Sequence, residues 1–295
     1  MISRRNFLGS ATALSISLPS LARAESPNSV PLTSFQGQAT FDRLVAKAAA
    51  EGWQKLPQGE LMGRIGQELL GTPYVAHTLE LDDRTEYCTV DFRGLDCVTF
   101  FENTLNLARV IRAGTPTPAA LLAAVRVTRY RDGVQGDYTS RLHYTTDWIW
   151  DNARRGNVKD LARELPGAEP FTQQVGFMST HPESYRQLKA NPDLVPAIRR
   201  TEATVNARPK MFVPLAHIEA IEPLLQTGDI IGIATTVPGI DISHTGLCVK
   251  DDQGRARFMN ASSKASNMKV VWDGPMHEAI ASGARNTGIV VARPV

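Results

Sequence analysis

Cys97, His244 and Asn260 have the residue types and settings that acyl transfer by a thiol nucleophile requires. Cysteine attacks as the thiolate. Cys97 follows Gly94-Leu95-Asp96 at the start of a stretch with helical apolar spacing. Unpaired backbone N–H groups and the positive end of the helix dipole gather at such a start and favour the thiolate. Attack on a carbonyl also needs a partner that takes and returns a proton, and imidazole has the pKa for it. Of the six histidines, His244 is the best placed, in Ile242-Ser243-His244-Thr245-Gly246-Leu247-Cys248-Val249, where polar residues interrupt an apolar strand pattern. Asn260, in Phe258-Met259-Asn260-Ala261-Ser262, falls on the next strand, toward the end nearest His244 if 251–254 turns an antiparallel pair. There its amide oxygen can accept from the imidazole N–H and fix the tautomer. Each residue alone has a plainer reading. A cysteine is often a small buried apolar residue, and a strand histidine is often simply hydrogen-bonded in place. The order of a helix-start Cys, then His and a polar residue on successive strands, is far more specific.

The remaining chemistry-bearing residues form no rival set. Three cysteines leave at least one unpaired, which needs a reason in an exported protein. Cys88 sits in a short β-like run without a helix start, and Cys248 shares a strand face with His244 and reads as packing. A Cys88–Cys97 disulfide is permitted by spacing but would silence the thiol. Arg141, His143 and Tyr144 form a polar-aromatic cluster suited to a sugar or carboxylate, or simply a solvated strand and loop. His77, His181, His217 and His277 have no ligand spacing, and neither H-E-x-x-H nor C-x-x-C occurs, so no metal or other cofactor is expected. Neither a G-x-S-x-G elbow nor a P-loop or G-x-G-x-x-G is present.

With 295 residues, 42% hydrophobic and 21% charged, the composition is that of an ordinary globular chain. Met1–Arg5 is basic, Phe7–Leu18 is a short apolar stretch, and Ala22-Arg23-Ala24 resembles a cleavage site. Ser3-Arg4-Arg5-Asn6-Phe7-Leu8 is similar to a twin-arginine export signal. Residues 1–24 are therefore expected to be an export signal, and 25–38 a linker. The protein is expected to be exported, to the periplasm, with no membrane anchor. The signal holds three arginines and no acid, so the rest of the chain carries 29 basic against 30 acidic residues. No electrostatic support for a nucleic-acid partner remains.

The elements that must hold these residues follow from periodicity. Helices are expected at 39–51, 59–70, 97–112 with Asp96 as N-cap, and 146–155. Two strands are expected in 123–144 around Asp132-Gly133, and the middle, 157–210, yields only a strand near 171–177 and a helix near 183–190. Strands at 229–235, 242–249, 255–260 and 288–292 then follow. A helical first half followed by an antiparallel sheet indicates an α+β fold.

Gly71-Thr72-Pro73-Tyr74, Leu95-Asp96-Cys97, Ser243-His244-Thr245-Gly246 and Asn260-Ala261-Ser262 together resemble the NlpC/P60 cysteine peptidases. The resemblance is closest to their N-acetylmuramoyl-L-alanine amidase-like branch, which Ser140-Arg141-Leu142-His143-Tyr144 with Trp148 and Asn152 also resembles, and it covers about 60–293. It implies a papain-like α+β fold in one catalytic domain over 39–295, with family-specific insertions in 115–215. Peptidoglycan or muropeptide substrates, a monomer, and a site of nucleophile Cys97, base His244 and third member Asn260 are also implied. Tyr74 would line the cleft and help with the oxyanion, and Asp96 would contact the peptide stem. Many relatives carry histidine at the third place and Ser-Gly after the cysteine, where this chain has Asn260 and Val98-Thr99. The branch implies cleavage between the muramic lactyl group and L-alanine. The alternatives are a stem-peptide endopeptidase cutting at D-glutamate, an inactive wall-binding module, or a transglutaminase-like acyltransferase.

Overall fold

The computed structural model describes residues 32–295; the expected export signal lies outside them. The first half comprises β1 (Thr33–Gln36), α1 (Gln38–Ala50), α2 (Gln58–Glu68), β2 (Cys88–Asp91), α3 (Cys97–Arg112), α4 (Pro118–Arg129) and α5 (Thr145–Arg154). Then come β3 (Val158–Asp160), β4 (Glu169–Pro170), α6 (Phe177–Thr180), α7 (Arg186–Ala190), α8 (Val195–Asn206), β5 (Met211–Pro214) and α9 (Leu215–Ile221). The chain closes with β6 (Ile230–Thr235), β7 (Ile242–Lys250), β8 (Ala256–Ser262), β9 (Lys269–Pro275), α10 (Met276–Ala281) and β10 (Asn286–Pro294). The class is α+β, helices packed on an antiparallel sheet.

The sheet runs β4-β5-β10-β6-β7-β8-β9, with β3 pairing β10 as well, and every pair is antiparallel. Its central strands are buried on both faces, which is why they read as near-continuous apolar runs rather than alternating ones. Leu247, Val249, Met259 and Ala261 pack under Leu61 and Ile65 of α2 and Phe100 and Leu105 of α3. Ile231, Ile233, Cys248 and Phe258 face the other way, onto Ile218 and Ile221 of α9 and Met276 and Ile280 of α10. A third cluster, including Tyr138, Tyr144, Leu188, Ile198 and Val205, organises the middle of the chain.

Three expectations need correction. Residues 123–144 do not form a hairpin, because α4 occupies Pro118–Arg129. Thr117 caps it by accepting from Ala120 N, Pro118 is pre-set for a first turn, and the alanine-leucine run that follows favours helix. Asp132 and Gly133 do take positive φ (57° and 75°), but their turn ends a helix instead of joining strands. Thr33–Gln36, read as linker, is a strand that pairs in parallel with β2. The strand expected at 171–177 is shifted: β4 ends at Pro170, and Phe177 opens α6.

One glycine contact fixes how α2 meets the sheet. Gly228 has φ +90°, and a Cβ there would run into the backbone of Gly59 in the first turn of α2. Strain and clash would act together. Gly228→Ala is expected to destabilise the protein by about 2 kcal/mol or more in chemical denaturation.

Candidate active site

Asp96 builds the start of α3. Its Oδ1 accepts from Thr99 N at 2.7 Å, while Thr99 Oγ1 accepts from Asp96 N at 2.9 Å. This reciprocal capping box sets the first turn and places Cys97 at the first helical position. Cys97 is half-buried, whereas Cys88 and Cys248 are fully buried, and all three are free. Burial pushes the Cys88 thiol up to about 11 and raises that of Cys248 as well, so neither is readily ionised.

His244 arrives from the sheet. Ile233 pairs with His244 and Ala234 with Ile242, so β7 carries one extra residue, Ser243, in a bulge beside the histidine. Such bulges re-aim neighbouring side chains. One residue on, Thr245 Oγ1 donates to the Cys97 carbonyl at 2.8 Å and ties β7 to the start of α3. The ring nitrogen Nε2 of His244 lies 2.9 Å from Asn260 Oδ1, which leaves Nδ1 as the other polar atom of the ring. Burial disfavours charge on the imidazole. Hydrogen bonding and charge from Cys97, the Asn260 bond and the charge of Asp273 outweigh it, and the pKa of His244 is raised. The three residues singled out from sequence thus meet although 163 positions separate the first from the last.

Tyr74 is also nearby. Its backbone bridges to Leu95, and burial, then the charges of Cys97 and Asp96, push its phenol up to about 12. An open cleft of about 190 Å³ adjoins the histidine, lined by Ser243, His244, Asn260, Ser262, Lys264 and Asp273 among others.

The sequence leaves Arg141, His143 and Tyr144 as either a ligand-reading cluster or a solvated strand and loop; the structure turns their polar groups inward instead. Arg141 is buried, and its guanidinium grips Glu86 at 2.8 and 2.6 Å. His143 Nε2 bonds the Tyr138 carbonyl at 2.8 Å, and burial with the Arg141 charge pushes its pKa down to about 3. Tyr144 donates to Glu202 at 2.7 Å. Each spends its polar group on a protein partner, because the segment folds under α8 and the 177–190 helices instead of into an exposed strand. Two residues at the site escaped the sequence reading. Thr245 lay inside the polar interruption of β7 but had no partner to suggest. Asp273 lies in β9, whose Val270-Val271-Trp272-Asp273 run is a short strand pattern that went unread.

The family model described as AmiA-like, N-acetylmuramoyl-L-alanine amidase-like, matches residues 64–286. Among solved structures, an N-acetylmuramoyl-L-alanine amidase from Bacteroides uniformis is 32% identical with a TM-score of 0.73, covering 80% of this chain and 98% of its own. A Bacteroides fragilis protein described provisionally as a xylanase is 33% identical with a TM-score of 0.70, covering 77% of this chain and 98% of its own. A Legionella pneumophila protein at 18% identity and a TM-score of 0.65, covering 87% and 94%, shares the fold. No curated protein matches. A match over 223 consecutive positions, holding Cys97, His244 and Asn260, places this chain in the N-acetylmuramoyl-L-alanine amidase-like (AmiA-like) family.

Proposed function

We propose that this protein is an exported, periplasmic cysteine amidohydrolase of the NlpC/P60 type, papain-like in fold, that cleaves the amide between N-acetylmuramic acid and L-alanine in peptidoglycan or muropeptides. The observation that carries this reading is that His244 Nε2 lies 2.9 Å from the Asn260 oxygen while the next residue, Thr245, bonds the carbonyl of the half-buried, helix-start Cys97 at 2.8 Å. Cys97 as thiolate attacks the amide carbonyl, and backbone N–H groups at the start of α3 hold the oxyanion. His244 carries the proton to the leaving amine of L-alanine. Water then attacks the thioester as His244 takes its proton, and the thiol is released. Asn260 holds the ring, as the neutral third member in this chemistry. Tyr74, bridged to Leu95, stands beside the nucleophile, where its hydroxyl can help with the oxyanion. Asp96 uses Oδ1 for its helix cap, and Oδ2 is the atom left for a stem peptide. Export rests on the Arg4-Arg5 start.

The relative described as a xylanase raises glycoside hydrolysis, which uses two carboxylates flanking the scissile bond. Asp273 is the one carboxylate among the residues lining the cleft beside His244, Asp96 spends an oxygen on its helix cap, and the cysteine–histidine pair suits an acyl group instead. Digestion of a defined muropeptide followed by mass spectrometry tests the choice of bond. The expected products are free disaccharide and an intact stem peptide. Truncated stems still bearing the disaccharide would overturn the amidase assignment, and a cut sugar chain would overturn the chemistry.

A further inference from the structure

Asn260 has two amide ends of nearly equal size, and only one orientation serves the histidine. If Nδ2 faced the ring, two donors would meet whenever His244 Nε2 carries its proton. The structure shows what fixes the choice. Asn260 Nδ2 donates to Asp273 Oδ2 at 3.1 Å while Oδ1 faces His244 Nε2 at 2.9 Å. Asp273 lies in β9, where Met259 pairs with Trp272 but Arg257 pairs with Pro275, so β9 has one residue more than β8 in that interval. Asn260 pairs with Val271, which makes Asp273 its diagonal neighbour on the same face of the sheet. Asp273 stands in that irregular interval, its carboxylate reaches Asn260, and it lines the same cleft as His244.

We propose that Asp273 is a positioning residue for the reaction, the fourth member of a Cys97–His244–Asn260–Asp273 chain of side chains. The inference rests on the cysteine mechanism proposed above. Its carboxylate can only accept, so it holds Nδ2 toward itself and Oδ1 toward the imidazole. It also supplies, one amide removed from the ring, the negative charge that an asparagine in third place lacks. Hydrogen bonds in such a chain polarise one another. The imidazolium formed when Cys97 gives up its proton is thereby stabilised, although its direct partner is neutral.

The test compares Asp273→Ala and Asp273→Asn in the full exported protein, using muropeptide hydrolysis across pH. The titratable and charged groups around His244 are Cys97 from α3, Asp273 from β9 and Lys264 beyond β8, with Tyr74 and Asp96 next to Cys97. Loss of the Asp273 charge destabilises the imidazolium, so the alkaline limb of the kcat/KM profile moves to lower pH in both variants. Asp273→Ala is expected to lower kcat by about 10- to 100-fold with KM changed less than about two-fold, an effect of the size that follows loss of the hydrogen-bonded partner behind a metal-bound histidine. Asp273→Asn, whose carbonyl still accepts from Nδ2, is expected to recover part of that loss in kcat. Wild-type kcat in both variants with an unmoved alkaline limb overturns the proposal. So does a fall in activity with no movement of that limb, which marks a purely structural role. Cys97→Ala separates the two readings: if it remains active, the cysteine mechanism itself fails, whereas if it is dead while Asp273→Ala is normal, only the role of Asp273 is lost.

Discussion

Cys97→Ala is expected to abolish muropeptide hydrolysis, lowering kcat by about 10⁴-fold or more, because removal of the nucleophile in such sets leaves only binding and oxyanion stabilisation. The fold should survive, since Cys97 is half-buried and its contribution to the start of α3 comes through its backbone. The capping box of Asp96 and Thr99 does not use its sulfur. Melting temperature is therefore expected to change little. A second readout follows from the imidazole. Burial lowers the pKa of His244, and Cys97 is the largest influence that raises it. With the thiol gone, burial weighs more heavily and the histidine titrates at lower pH, which an NMR titration of the ring protons detects. Hydrolysis at the wild-type rate, or an unmoved His244 titration, would show that the two residues do not work as a pair.

The geometry of the candidate site was legible in the sequence wherever a local rule governs. Asp96 before an apolar-faced run is a cap-and-helix pattern, and α3 spans 97–112 as that pattern predicts. The strand Ile242–Val249 and the 251–254 turn bring Asn260 to His244 by antiparallel geometry alone. What escaped is tertiary. Nothing near Asp273 in sequence names Asn260 as its partner, since the contact depends on the register in which β9 pairs with β8. Likewise Arg141, His143 and Tyr144 look like a ligand-reading cluster because polar residues are assumed to face water. Glu86 and Glu202, 55 and 58 residues away, turn Arg141 and Tyr144 into interior ties. Residues 123–144 resemble a hairpin because Asp132-Gly133 is a strong turn pattern, whereas the helix is set further upstream by the Thr117-Pro118 cap.

The helix that carries Cys97 is itself anchored by a buried ion pair, and Glu102→Ala is expected to be the most damaging substitution away from the cleft. Glu102 Oε2 accepts from Arg129 Nε at 2.7 Å, and its Oε1 accepts from the Trp148 indole at 3.0 Å. Arg129 also donates to the Thr89 carbonyl at 2.6 Å, so one pair joins α3, α4, α5 and β2. Glu102 and Arg129 are 1% and 2% exposed, which means that water cannot replace a lost partner. Removing the carboxylate leaves a guanidinium buried without a counter-charge and an indole N–H without an acceptor. Such a loss costs about 3–5 kcal/mol, where an exposed pair would cost under about 1 kcal/mol. For a chain of this size that corresponds to a fall of roughly 6–15 °C in melting temperature. The double variant Glu102→Leu with Arg129→Met removes both charges and keeps much of the volume, and it is expected to recover most of the stability. A single variant that melts within about 2 °C of wild type would show that the pair does not hold these elements together. A double variant no more stable than the single would place the loss in packing or in the Trp148 bond instead of in the stranded charge.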